Sequence, residues 1–287
     1  MPSKGEFDFI VVGAGPAGCA TAARLATLRP DASVLLLETG PAKSGLRSDV
    51  PLGIATLVPF RNARNYSYRT VPQAGLHGRR GVQPRGRGLG GSSLINAMIY
   101  VRGQHADYDD WARLGATGWA WRDVFPYFLR SEDNARGADA WHATGGPLAV
   151  RDLASPSDCA RAFVAAAAEC GHPSNPDFNG AQQEGVGLYQ VFQRDGRRWN
   201  AARAYLDGLA PKNLSVRVEA QVARVLVAEG RARGIACANG DTYSARAEVV
   251  LSAGAFGTPQ LLMLSGVGPA EHLRALGIAV RHDSPEV

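Results

Sequence analysis

Asp8-Phe9-Ile10-Val11-Val12 runs without a break into Gly13-Ala14-Gly15-Pro16-Ala17-Gly18. The first stretch is short, apolar and rich in β-branched residues, so it reads as a buried strand. Cys19–Ala26 supplies strong helix formers, and Ser33–Leu37 is a second apolar run that ends at Glu38. From Gly18 to Glu38 is 20 residues. Strand, glycine turn, helix, second strand and a terminal acid together predict a dinucleotide-binding βαβ unit. Each residue type has a task there. Gly13 permits the sharp turn, Gly15 lets backbone approach a pyrophosphate, and Gly18 lets the helix sit close on the sheet. Pro16 and Ala17 open the helix, whose unpaired N–H groups face the phosphates. Glu38 accepts from ribose hydroxyls and disfavours a 2′-phosphorylated cofactor. This motif alone leaves NAD and FAD both open.

Composition narrows the class. A chain of 287 residues, at about 100–200 residues per domain, is two domains or one large α/β unit with an appendage. At 45% hydrophobic and 20% charged it is globular rather than disordered. No apolar run reaches the length of a membrane span, and Met1-Pro2-Ser3-Lys4-Gly5-Glu6 carries no apolar signal core. Cys19, Cys159, Cys170 and Cys237 form no C-x-x-C pair, so they read as free thiols in a reducing cytoplasm, with no metal site. Of 31 basic residues only Lys4, Lys43 and Lys212 are lysines. The arginines are spread along the chain without interleaved aromatics, which argues against a nucleic-acid face.

A second glycine cluster follows at Arg85-Gly86-Arg87-Gly88-Leu89-Gly90-Gly91-Ser92-Ser93-Leu94-Ile95-Asn96-Ala97-Met98-Ile99. Its glycines predict backbone that passes close to a ligand, with Ser92, Ser93 and Asn96 as hydrogen-bonding groups. This segment, through Asp109, resembles the first signature of the glucose–methanol–choline (GMC) oxidoreductases, which are FAD-dependent. Gly254 through Gly268 resembles their second. Gly115–Trp119, His142–Leu148 and Asp177–Gly180 are similar to further family landmarks, so the resemblance covers nearly the whole chain, nearest to its choline-dehydrogenase-like branch. It implies that Gly88, Gly91, Ser92, Asn96, Ala97, Met98 and Ile99 lie along the pyrophosphate and flavin. By the same resemblance Val222 meets the adenine and Gly254 passes near the cofactor. Some members tether the flavin through a histidine in this segment. Ile95 stands at that place, which implies non-covalent FAD.

Between the motifs, residues 61–84 read as a long loop covering a cofactor, and 104–134 as helices with buried aromatics (Tyr108, Trp111, Trp119, Trp121, Phe125). Cys159–Cys170 reads as a helix, Leu188–Phe192 as a strand and Arg197–Leu206 as a helix, with Arg198 either on phosphate or capping a surface. Leu214–Val218 and Val222–Val227 read as strands, Asn239-Gly240 as a hairpin tip, and Glu248–Leu251 as a buried strand entering a helix started by Pro259. The expected fold is α/β: a Rossmann-like FAD-binding domain with a parallel sheet and a β-meander, plus part of a GMC substrate domain. Its expected spans are 1–153, then 154–200 for the start of the substrate domain, then 201–287.

The resemblance implies oxidation of an alcohol CH–OH group, with hydride passing to flavin and on to an acceptor other than NAD(P). It also implies a catalytic histidine beyond Val287, so the chain reads as the N-terminal portion of such an enzyme. The other reading is a non-catalytic FAD-binding fragment, or one half of a split enzyme with a complementary chain. His77, His105, His142, His172, His272 and His282 read as satisfied or solvated, and no catalytic residue is assigned among them.

Overall fold

The computed structural model describes residues 4–208 and 211–287. Met1-Pro2-Ser3 of the N-terminal segment lies outside the described residues. The chain divides into two compact units, Met1–Asn96 with Asn200–Val287, and Ala97–Trp199. The position expected to open a second domain, 154, falls inside the second of these.

The first unit is built on one six-stranded sheet. β1 (Glu6–Val12) lies at its centre, and α1 (Pro16–Leu28) leads to β2 (Val34–Leu37). β3 (Leu214–Arg217), β4 (Val222–Ala228), β5 (Arg231–Cys237) and β6 (Thr242–Leu251) complete the order β3-β2-β1-β6-β5-β4. β3, β2, β1 and β6 are parallel, and β4, β5 and β6 form an antiparallel meander. The Asn239-Gly240 turn joins β5 to β6, with Gly240 at φ +90°.

Alternation along the strands divides the core between the two faces of the sheet. Ile10, Val12, Leu35 and Leu37 pack on one side with Val222, Ile235, Tyr243 and Leu261. Val11, Val34 and Leu36 pack on the other with Cys19, Ala22 and Ala26 of α1. Both faces are covered, which is why β1 and β2 read as continuous apolar runs. The small residues of α1 let the helix lie close on the sheet. Asn213, just before β3, donates to the carbonyls of Ala26, Arg29 and Ala32 at 3.1, 3.0 and 2.7 Å, tying the end of α1 to that strand.

α2 (Gly254–Leu264) leaves β6 almost at once, and Pro259 sits inside it rather than starting it. Gly254, at φ +83°, makes the turn out of the strand, so the helix begins five residues before the proline. Residues 197–206 are not one helix. Arg197–Arg198 pair antiparallel with Gln193–Arg194, and the helix is Ala201–Tyr205 alone, begun where the Asn200 side chain accepts from Arg203 N.

The second unit has little regular sheet. Ile99–Tyr100 pair with Gln190–Val191, the only strand residues within the predicted 188–192, and Glu132–Asn134 pair with Leu148–Val150. Its helices are His105–Arg113, Trp121–Ser131 and Asp158–Glu169. The aromatics of 104–134 are not a buried core, contrary to the sequence expectation. Trp111 is 48% and Trp119 54% exposed, and the two rings meet at 6.0 Å.

Much of what is buried instead is polar. The Arg102 guanidinium, inside the unit, is paired with Glu132 at 2.9 Å and lies about 5.5 Å from the rings of Tyr100, Phe125 and Phe128. His142 stands between Glu132 (Nδ1 to Oε1, 2.8 Å) and Asp177 (Nε2 to Oδ2, 2.9 Å). Asn134 and Gln190 exchange two hydrogen bonds at 3.0 Å beside them. Arg198 is wholly buried, so it caps no surface.

Candidate functional site

A cleft of about 450 Å³ opens in the first unit at the carboxyl ends of β1 and β2. This is where open α/β sheets hold ligands. Of the residues singled out in the sequence, Gly13, Gly15, Pro16, Ala17, Glu38, Gly91, Ser92, Val222 and Gly254 line it. Gly18 and Gly88 stand behind its wall. Asn96 does not line it, and Ala97, Met98 and Ile99 belong to the second unit, where Met98 is buried at φ +61°.

The wall is made of backbone pressed against backbone. A Cβ on Gly18 would lie 1.8 Å from the Gly13 carbonyl oxygen, so any side chain there pushes α1 off the strand turn. A Cβ on Gly91 would lie 2.6 Å from the Gly15 Cα, so the second glycine loop rests directly on the first. Gly90 N donates to Ala14 O at 2.8 Å across the same contact. Gly15 itself has open space before it, with no atom within 4 Å of where a Cβ would stand. No side chain caps the start of α1, so its first N–H groups are left for a ligand.

Glu38, at the end of β2, holds three turns together. Its Oε2 accepts from Ala14 N at 3.0 Å, and its Oε1 from Gly40 N at 2.8 Å and Gly88 N at 3.0 Å. A carboxylate has about four acceptor positions. One, on Oε2, is left, and Glu38 lines the cleft. Burial pushes the Glu38 carboxyl up, against the opposing pull of those three donors.

An aromatic wall was not foreseen in the sequence. Tyr66 and Tyr68 stack at 5.1 Å, Tyr68 meets Phe256 edge-on at 6.1 Å, and all three line the cleft with Arg85. The tyrosines flag themselves as part of the 61–84 loop. Phe256 stands 188 residues further on, and no local pattern links it to them. No histidine lines the cleft. His77 is exposed, His105 stacks on Trp121 at 4.0 Å, and His142 is buried between carboxylates. His172, His272 and His282 are exposed. Ile95 points into an apolar cluster with Leu57 and Leu94. Among the described residues no group of three or more His, Cys, Asp or Glu gathers to hold a metal ion, and no helix is long and apolar enough to cross a membrane.

The family model for GMC oxidoreductase matches residues 7–283. The chain belongs to the GMC oxidoreductase family. Enzymes of this family are FAD-dependent. An alcohol dehydrogenase [acceptor] of Pseudomonas putida is 44% identical over 98% of this chain and 52% of its own length. An oxygen-dependent choline dehydrogenase of Rhizobium etli is 40% identical over 98% of the chain and 52% of its own. The chain thus spans about half the length of these GMC relatives. Among solved structures, a pyridoxine 4-oxidase from Mesorbium loti superposes with a TM-score of 0.92 at 36% identity, covering 98% of this chain and 56% of that one. A formate oxidase of Aspergillus oryzae, studied for its FAD modification, gives 0.88 at 27%, covering 99% and 52%.

Proposed function

We propose that this chain forms the FAD-binding part of an oxidoreductase acting on the CH–OH group of an alcohol, with an electron acceptor other than NAD(P). The observation that carries this reading is the convergence of the α1 N-terminus, Glu38 and the Gly91-Ser92 loop on one cleft. The residues fit the cofactor. Gly15 and the uncapped first turn of α1 accommodate its diphosphate, and the remaining lone pair of Glu38 accepts from a ribose hydroxyl. Val222 lines the adenine end, and Gly91 and Ser92 hold the flavin side. When bound, FAD supplies the two-electron acceptor that no side chain provides. The FAD is held non-covalently, because Ile95 offers no nucleophile. The four cysteines form no disulfide, in keeping with a reducing cytoplasm.

A second reading has its own support. Oxidising an alcohol needs a base within hydrogen-bond reach of the hydroxyl proton, and no histidine lines the cleft. On this reading the chain binds FAD without turnover and a complementary chain completes it. The visible absorption spectrum of the purified 287-residue chain tests the first claim: flavin bands near one per chain are expected, and a chain that takes up no flavin overturns it. An alcohol-oxidation assay on that flavin-loaded chain separates the readings. Turnover supports the first, and none with FAD bound supports the second.

A further inference from the structure

Glu38 and Arg85 are the charged side chains that line the cleft. Glu38 brings a negative charge to a site read as binding a dinucleotide with a negatively charged diphosphate. The N-terminus of α1 offsets this by roughly half a charge. Glu38 and α1 alone thus bring no net positive charge to the cleft.

Arg85 is placed to supply it. Its guanidinium lies over the Phe256 ring, 4.4 Å from the centroid, and one nitrogen donates to the adjacent Pro84 carbonyl at 2.6 Å. No carboxylate stands within ion-pair distance of it among the described residues. Of the five donors of a guanidinium, most are free for a ligand. The backbone beside Arg85 is fixed. Gly86 N donates to Ser92 Oγ at 3.0 Å, and Gly86 packs on Gly91, which rests on Gly15. The arginine is thus rooted in the glycine loop that lies on the first turn of α1. A planar fork of donors suits phosphate oxygens better than a ring or a sugar.

We propose that Arg85 binds the diphosphate of FAD, resting on Phe256 as its platform. This rests on the reading of the cleft as an FAD site.

The test is titration of the 287-residue chain with FAD, followed by flavin fluorescence, for the wild type, Arg85→Met and Arg85→Lys. Methionine keeps length and apolar packing but not charge. A lost charge-assisted hydrogen bond predicts a Kd for Arg85→Met about tenfold to a hundredfold weaker, with Arg85→Lys within about tenfold of wild type. A thermal melt of each ligand-free variant shows that it is folded. Equal affinity in wild type and Arg85→Met overturns the proposal. So does Arg85→Lys binding FAD more weakly than Arg85→Met, since lysine keeps the charge that a diphosphate would meet and methionine does not. A wild type that binds no FAD overturns the reading of the cleft, and this proposal with it.

Discussion

The cleft of the first unit and the buried cluster of the second handle polar atoms in opposite ways. The cleft is made of backbone: glycines stacked on glycines, N–H groups left unpaired at a helix start, and one carboxylate that gathers three turns. The cluster is made of side chains: Arg102, Glu132, His142, Asn134 and Gln190 satisfy one another away from water, with the part-exposed Asp177 closing the far side of His142. A site that must receive a ligand keeps donors open. A cluster that holds loops together closes every donor on a neighbour.

Removing one member of the closed cluster should do the most damage. Arg102→Ala strips the buried Glu132 of its guanidinium partner, which costs about 3–5 kcal/mol, read from urea denaturation. A loss under about 1 kcal/mol would show that the cluster behaves like a surface ion pair and would erase the contrast. In the cleft wall, Gly18→Ala forces a methyl against the Gly13 carbonyl and should cost about 1–3 kcal/mol. A variant as stable as wild type would mean that α1 does not rest on the turn as described.

A pH titration sharpens the comparison further. Asn134 Nδ2 gives its hydrogens to Glu132 and Gln190, so His142 satisfies both carboxylates by donating from both ring nitrogens, as the imidazolium. The bond to Glu132, against the cost of burial and with help from Asp177, holds the His142 pKa above its usual value of 6.5. Asp139 and, behind Glu132, Arg102 are the other charges facing it. A raised histidine pKa stabilises fully below the unfolded value and loses that contribution as pH rises through the folded one. Stability should therefore fall on the alkaline side of 6.5, by about 2 kcal/mol for one charge-assisted bond. Burial pushes Glu132 up, but its bonds from His142 and Asn134 hold it below its ordinary value, so a second loss comes in acid. Denaturation midpoints across pH should show the alkaline slope in wild type and not in His142→Gln. The mildest test is chemical. Burial pushes the Cys19 thiol up to about 12, and alkylation of the native chain should label the exposed Cys159 and Cys170 while sparing Cys19. Equal labelling of Cys19 would mean that α1 opens readily from the sheet.

The same contrast explains what the sequence reveals. Gly13, Gly15, Gly18 and Glu38 are legible because a backbone-built site writes its demands into fixed local spacing. The meander is legible from Asn239-Gly240 for the same reason. Arg102, Glu132, His142 and Asp177 are strewn over 75 residues in unrelated turns, so no period joins them; His142 and Asp177 each open a family landmark, but nothing in either landmark says that they meet. The aromatics of 104–134 mislead because large rings ordinarily signal a core, whereas here Trp111 and Trp119 cover one another at the surface. Pro259 misleads because propensity places proline at a helix start, while the turn at Gly254 decides where α2 begins.

The central position of β1 has a consequence for how the chain is made. β1 ends at Val12, and its partner β6 begins at Thr242, 230 residues later. At a ribosomal rate of about 5–20 residues per second, the interval is on the order of 10–50 s. Throughout it, the unpaired backbone edge of β1 that β6 will cover has emerged without that partner. The newborn chain is most open to misassociation then, and shielding by a chaperone has the most to offer it.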